Sequence, residues 1–219
     1  MQNNQYYKNA ALEALKGRWA PAVVVTIVFM AIVMAIVSPG CITEFFPLPV
    51  GWIMGIAGAN MLLSYFVSIP LSVGYYNAFR LLYTQGDDRL TSNMFKLGFT
   101  NWLHNVWGMF LMCIKVLLWC LLLFIPGIIK AFAYAMTPFI LVEHPEMRAI
   151  DAIRKSNAMM KGHKFDLFYL ELSFIGWGIL CLFTFGLGFI WLIPYMYTTI
   201  AAFYEDLKAE CGETAIPQM

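Results

Sequence analysis

The chain has 219 residues, 61% of them hydrophobic and only 12% charged, with a net charge of +1. Soluble domains run at about 45–50% and 25%, and several apolar runs here exceed the roughly 18 residues that mark a membrane-span candidate. Composition therefore excludes an ordinary soluble domain and points to a polytopic membrane protein. The net charge says nothing about a nucleic-acid partner, but no dense basic block exists and no such partner is expected.

Residues 5–18, QYYKNAALEALKGR, gather Tyr7, Ala11, Ala14, Leu12 and Leu15 on one side and Asn9, Glu13 and Lys16 on the other. This predicts a short amphipathic helix lying at the membrane surface. The first span is 19–37, long enough to cross at about 1.5 Å per residue. It outruns a signal-peptide core and no A-x-A site follows it. Ser38 and Pro39 stand where a lipoprotein cleavage site carries small or branched apolar residues, so lipidation of Cys41 is not expected.

Residues 38–50 hold three prolines and no lysine or arginine, and they predict a loop. The apolar run 51–83 would be about 50 Å long as one helix, against a hydrocarbon core of roughly 30 Å. A short outer or re-entrant helix near 48–62 is expected, then a span over 62–83 with Pro70 inside it. Gly51-x-x-x-Gly55 permits close helix approach.

After a polar interval at 84–101, the third span covers 103–125 and ends at Pro126-Gly127, a tight-turn signal. The return span is 128–142, interrupted by Pro138. The last two spans are 166–184 and 188–204, joined by residues 184–188, and a polar, mobile tail is expected over 205–219. The fold class is thus all-α: a polytopic membrane helical bundle of about six transmembrane helices with interfacial amphipathic helices on the cytoplasmic side.

Between the fourth and fifth spans lies 145–162, PEMRAIDAIRKSNAMMKG. On a helical wheel Lys161, Arg154, Asp151, Lys155 and Arg148 fall within an arc of roughly 140°, opposite Ile150, Ile153, Met160, Ala149, Ala152 and Met159. One basic and one apolar face between two spans suits the headgroup layer. Arg148, Arg154, Lys155 and Lys161 are the candidate contacts for anionic lipid. Twelve of the fourteen basic residues fall in segments that six spans place on one side, and the loops on the other side hold none. The positive-inside rule then puts both termini in the cytoplasm.

Weak self-similarity accompanies this layout. Ile69-Pro70 followed by Ala78-Phe79 recurs as Ile193-Pro194 followed by Ala202-Phe203, and Lys16-Gly17, Lys161-Gly162 and Lys96-Leu97-Gly98 each close a polar segment before a span. Three helical hairpins are one reading and chance matches in an apolar chain the other.

Three ionisable residues fall within or beside spans, where charge is costly and marks function by default. Lys115 sits near mid-bilayer, Lys130 near the outer surface, and Glu171 a few residues into the fifth span. Either Lys115 and Glu171 form a structural ion pair while Lys130 snorkels outward, or the three frame a solute or headgroup site. His104, His144 and His163 map to the cytoplasmic boundary, and Pro145 breaks the helical spacing of Glu143-His144-Pro145-Glu146, so no metal site is expected. Cysteines at 41, 113, 120, 181 and 211 form no CxxC pair. Trp19, Trp52, Trp102, Trp107, Trp177 and Trp191 read as interfacial anchors. No nucleophile elbow, P-loop, dinucleotide glycine motif or metalloprotease helix is present, so neither catalytic residues nor a cofactor is assigned.

Pro126-Gly127-Ile128-Ile129-Lys130, Tyr134, Pro138, Met160-Lys161-Gly162, Ser173-Phe174-Ile175-Gly176-Trp177 and Pro194-Tyr195 resemble a bacterial integral-membrane family known as domain of unknown function 975. Leu15-Lys16-Gly17 and Trp19 are similar to its opening, so the likeness runs along nearly the whole chain and is densest over 126–204. The resemblance implies a polytopic inner-membrane protein with no assigned activity and supplies no catalytic residues. It is distantly similar to the membrane module of some glycerophosphodiester phosphodiesterases; no such catalytic domain is read here, so that activity is not expected. The expectation is a non-enzymatic protein binding membrane lipids or another membrane protein, with a small transporter or channel as the alternative.

Overall fold

The computed structural model describes residues 2–45 and 49–212, and among them every regular element is helical. In chain order these are α1 (Asn4–Leu15), α2 (Trp19–Phe45), α3 (Val50–Leu63), a π turn over Ser64–Ser68, and α4 (Ile69–Gln85). Then come α5 (Leu90–Thr100), α6 (Trp102–Leu122), α7 (Phe124–Tyr134) and α8 (Thr137–Glu143). The chain closes with α9 (Ala149–Met159), α10 (Lys164–Leu172), α11 (Ile175–Phe183) and α12 (Phe189–Glu210).

Five stretches are long and apolar enough to cross a membrane: Trp19–Ile36, Val50–Gln85, Trp102–Leu122, Phe124–Glu143 and Lys164–Phe183. They make the chain a polytopic helical bundle consistent with a membrane-embedded protein. Large apolar side chains stand exposed along them, Leu121, Phe124, Trp177 and Phe183 among others. Such a surface suits hydrocarbon and not water. The sixth expected crossing, 188–204, lies inside α12, which is less apolar for a physical reason. α12 packs against α1, α2, α4 and α11, and Thr198, Thr199, Ala201, Ala202, Phe203 and Tyr204 are buried. A helix walled by protein can carry hydroxyls whose partners are at hand: Thr198 Oγ1 donates to Pro194 O at 2.8 Å.

Proline and glycine play different parts from those expected. The loop predicted over 38–50 begins later, because α2 continues through Pro39 to Phe45; in apolar surroundings losing one backbone bond costs less than unwinding a whole turn. Residues 46–48 lie outside the described residues. The run 50–85 is one continuous helical rod with a π turn in place of a break. Pro70 has no N–H to offer the Phe66 carbonyl one turn earlier, and that carbonyl instead accepts the Trp102 indole N–H at 2.8 Å. Pro126-Gly127 is not the turn. The chain reverses at extended Leu123, Pro126 sits in the first turn of α7, where a missing N–H is harmless, and Gly127 lies against Cys120. Pro138 likewise opens α8. The predicted span 166–184 is two helices, divided at Ser173-Phe174. Residues 205–210, expected in a mobile tail, belong to α12, where Leu207 and Lys208 are buried; 213–219 lie outside the described residues.

The close approach expected at Gly51-x-x-x-Gly55 is absent: a Cβ on either glycine would meet nothing within 4 Å. It occurs instead between α4 and α5. A Cβ on Gly74 would stand 1.9 Å from Met94 O, and one on Gly98 2.3 Å from Pro70 O. Asn105 fixes the same corner, its Nδ2 donating to Gly98 O at 2.9 Å.

One end of the bundle is charged and holds both described ends of the chain. Gln2 N donates to Asp206 Oδ2 at 3.2 Å and Tyr7 OH donates to the same oxygen at 2.5 Å. The buried Tyr7, Ala11 and Leu15 lie at the i, i+4, i+8 spacing of one helical face, and α1 packs on α12 along it.

Candidate functional site

The middle of the basic segment folds as α9, shorter than the stretch placed on the wheel, with Met160 and Lys161 in the turn that follows. Its apolar face, Ala149, Ala152, Ile153 and Met159, is buried, and α9 packs on α6, α7 and α8. Ser156 Oγ donates to Ala133 O at 3.0 Å and locks that contact. The apolar face is thus spent on protein, whereas the amphipathic pattern suggested lipid. The short link 144–148 returns α9 onto the helices just before it, and a wheel cannot distinguish the two apolar environments.

The opposite face is presented outward. Arg148 Nε and Arg154 Nη1 both reach Asp151, at 2.9 and 3.2 Å, with side chains 81% and 70% exposed. Two guanidiniums sharing one carboxylate leave a net positive charge. Lys155 Nζ lies 2.9 Å from His144 Nε2, and Lys161 is exposed in the turn that follows.

The three ionisable span residues do not converge. The charges influencing Lys115 are Arg154 and Lys130, both positive, so the expected pair with Glu171 is not formed. Lys130 stacks its ammonium over the Trp119 and Tyr134 rings at 5.1 and 5.9 Å, a cation–π seat that offsets part of the cost of its charge. Glu171 is partly buried and has no ion-pair partner among the described residues. Its carboxylate lies within electrostatic reach of Tyr76 and Tyr197, whose rings meet edge to face at 4.7 Å.

A second polar cluster was not anticipated. At the charged end Glu143 closes α8 and receives Arg80 from α4, Tyr204 from α12, and Lys208 Nζ at 2.5 Å. Glu205 joins, 3.6 Å from Arg80 and 3.8 Å from Lys208. All four charged side chains are at most 17% exposed. Two cations and two anions cancel, which is the condition for keeping charge out of water. The sequence offered one signal: Ile-Pro followed nine residues on by Ala-Phe recurs in α4 and α12, and Arg80 and Tyr204 are the residues immediately after each match. Every acid in the cluster is engaged and no nucleophile adjoins it, so it reads as a clamp on three helices. Among the described residues no group of three or more His, Cys, Asp or Glu side chains is placed to hold a metal ion.

The family model for the protein of unknown function DUF975 matches residues 90–211, more than half of the chain. The chain belongs to this family. No curated protein and no solved structure matches it.

The DUF975 match begins at α5 and ends just past α12, so α9, Glu143, Glu171 and Lys208 fall inside it. The densest part of the resemblance, 126–204, is covered, while Leu15-Lys16-Gly17 and Trp19 lie outside. Arg80 also lies outside, so the clamp joins the matched stretch of DUF975 to the helices that precede it.

Proposed function

We propose that this DUF975 protein is a non-enzymatic component of a bacterial inner membrane, with both termini in the cytoplasm, and that the basic face of α9 binds anionic lipid headgroups or an acidic partner membrane protein. One observation carries the reading. The apolar face of α9 is docked on α6–α8, so Arg148 and Arg154 project from a rigid support while remaining 81% and 70% exposed. A loop helix serving packing alone has no need of a concentrated positive face. Each lysine or arginine near an anionic surface contributes about 1 kcal/mol. The orientation is supported by the charge asymmetry of the loops and by the meeting of both described chain ends at the charged end of the bundle.

Replacing Arg148, Arg154 and Lys155 together with Gln should reduce the anionic fraction of the lipid shell that accompanies the protein into nanodiscs. An unchanged shell would sink the headgroup reading.

A second reading, a small transporter or channel for a solute or lipid, is favoured by Glu171 alone. A partly buried carboxylate with no ion-pair partner among the described residues, within electrostatic reach of two packed tyrosines, is the kind of group that binds a cation or a proton within a span. Proteoliposome flux abolished in Glu171→Gln would favour transport; flux equal to that of empty vesicles in the unaltered protein would remove it.

A further inference from the structure

A groove of about 360 Å³ runs between α7 and α10, walled by Ile128, Ile129, Phe132, Phe165 and Phe168, with Lys164 at its polar end. Its size falls in the roughly 300–1,000 Å³ range of small-molecule sites. Phe132 and Phe168 meet edge to face at 5.7 Å and form one wall, while Ile129 and Phe165 are 43% and 69% exposed. Gly162, at φ +95°, lines the opening and leaves it clear: a Cβ there would meet nothing within 4 Å.

Arg80, Arg148, Arg154 and Lys208 each face a carboxylate. Lys164 in the groove and Lys161 beside Gly162 have no ion-pair partner among the described residues. The nearest acid in sequence, Asp166, is taken by His163 Nδ1 at 3.1 Å, and His163 Nε2 also meets Glu210 at 3.4 Å. Lys130, next to the groove wall in sequence, is held over Trp119 and Tyr134.

An apolar slot lined by Lys164, with Lys161 adjoining its Gly162 in the chain and neither lysine paired to a carboxylate among the described residues, matches one kind of molecule abundant around a membrane helix. We infer that the groove seats one acyl chain of an anionic glycerophospholipid, with its phosphate held between Lys161 and Lys164. The anionic-lipid reading above underlies this assignment, which adds a single defined site to the diffuse basic face of α9. An acyl chain gains little on moving from bilayer to groove, because lipid tails are as apolar as the walls. Selectivity therefore resides in the headgroup, at roughly fivefold per lysine.

The test is native mass spectrometry of the full-length protein with phosphatidylglycerol and phosphatidylcholine of identical chains. One phosphatidylglycerol should be retained, with a preference on the order of 25-fold. Lys161→Gln with Lys164→Gln should bring that preference close to unity, and Ile129→Trp, on an exposed wall that tolerates bulk, should empty the groove of either lipid. An undiminished preference in the lysine pair, or a lipid still held by I129W, overturns the assignment. If I129W keeps its lipid while the α9 variant loses its anionic shell, the groove falls and the α9 reading stands. The reverse pattern keeps the groove and discards the α9 reading.

Discussion

Gly74 and Gly98 set the distance between α4 and α5, since a methyl on Gly74 would overlap the Met94 carbonyl. Gly74→Ala should lower unfolding stability in detergent by roughly 1–3 kcal/mol, the usual cost of forcing bulk into a closed contact. Gly55→Ala, where nothing lies within 4 Å, should be neutral or mildly stabilising, and equal losses in the two variants would refute the contact. Asp87 is a second residue whose role is local. It accepts from Arg89 Nε at 3.2 Å, Asn93 Nδ2 at 3.0 Å and Arg89 N at 3.0 Å. Those bonds, the Arg89 side chain first, hold its pKa down from 3.8 to about 2. A depressed folded-state pKa means that the contribution is present above the unfolded value and is lost as pH falls toward 2. Melting curves of the unaltered protein and Asp87→Asn should therefore differ at pH 6 and converge near pH 2; a difference independent of pH would contradict the assignment.

The elements meet most decisively where α4, α8 and α12 share Glu143. Removing one partner from a buried ionic cluster leaves the others uncompensated, at a cost of about 3–5 kcal/mol. Glu143→Gln should show a loss of that size in unfolding experiments, because Arg80 and Lys208 would retain Glu205 alone. Glu143→Leu combined with Lys208→Met should cost less than the sum of the single changes, since it removes both signs together. Simple additivity would show that the groups do not act as one unit. Asn77 supports the same junction, its Nδ2 donating to Val73 O and Pro138 O, both at 2.9 Å. α9 is a different kind of element, positioned by its apolar face and by Ser156, with its charges left to the surroundings.

At the scale of the molecule, the chain ends are tied together through Gln2, Tyr7 and Asp206. Burial and the Asp206 bond push the Tyr7 phenol up, so it stays a donor across the physiological range. On the proposed topology both described ends lie on one side of the membrane, which calls for an even number of crossings with α12 as the sixth. Single cysteines at position 3 and at 211, in an otherwise cysteine-free chain, should show the same protection from an impermeant thiol reagent in intact cells. Opposite labelling of the two would exclude the six-pass arrangement. Protection of both would place them in the cytoplasm, as the loop charges predict.

The amino-acid sequence alone was enough to establish an all-helical bundle with several helices long and apolar enough to cross a membrane. These follow from hydropathy and a 3.6-residue period, which are properties of short windows. Contacts between distant windows were decided by the tertiary structure. Glu143, Arg80 and Lys208 lie on three separate helices, and beyond the repeat that ends at Arg80 and Tyr204 nothing in their spacing shows that they meet. Gly51 and Gly55 carry the close-packing pattern in sequence, yet it is Gly74 and Gly98, 24 residues apart, that face another backbone. Lys115 and Glu171 invite pairing by opposite charge, but α9 brings Arg154 toward Lys115 instead. The apolar face of α9 looks the same whether it will meet lipid or protein, since both remove it from water. Which of the two covers it depends on where the chain returns, and only the folded molecule determines that.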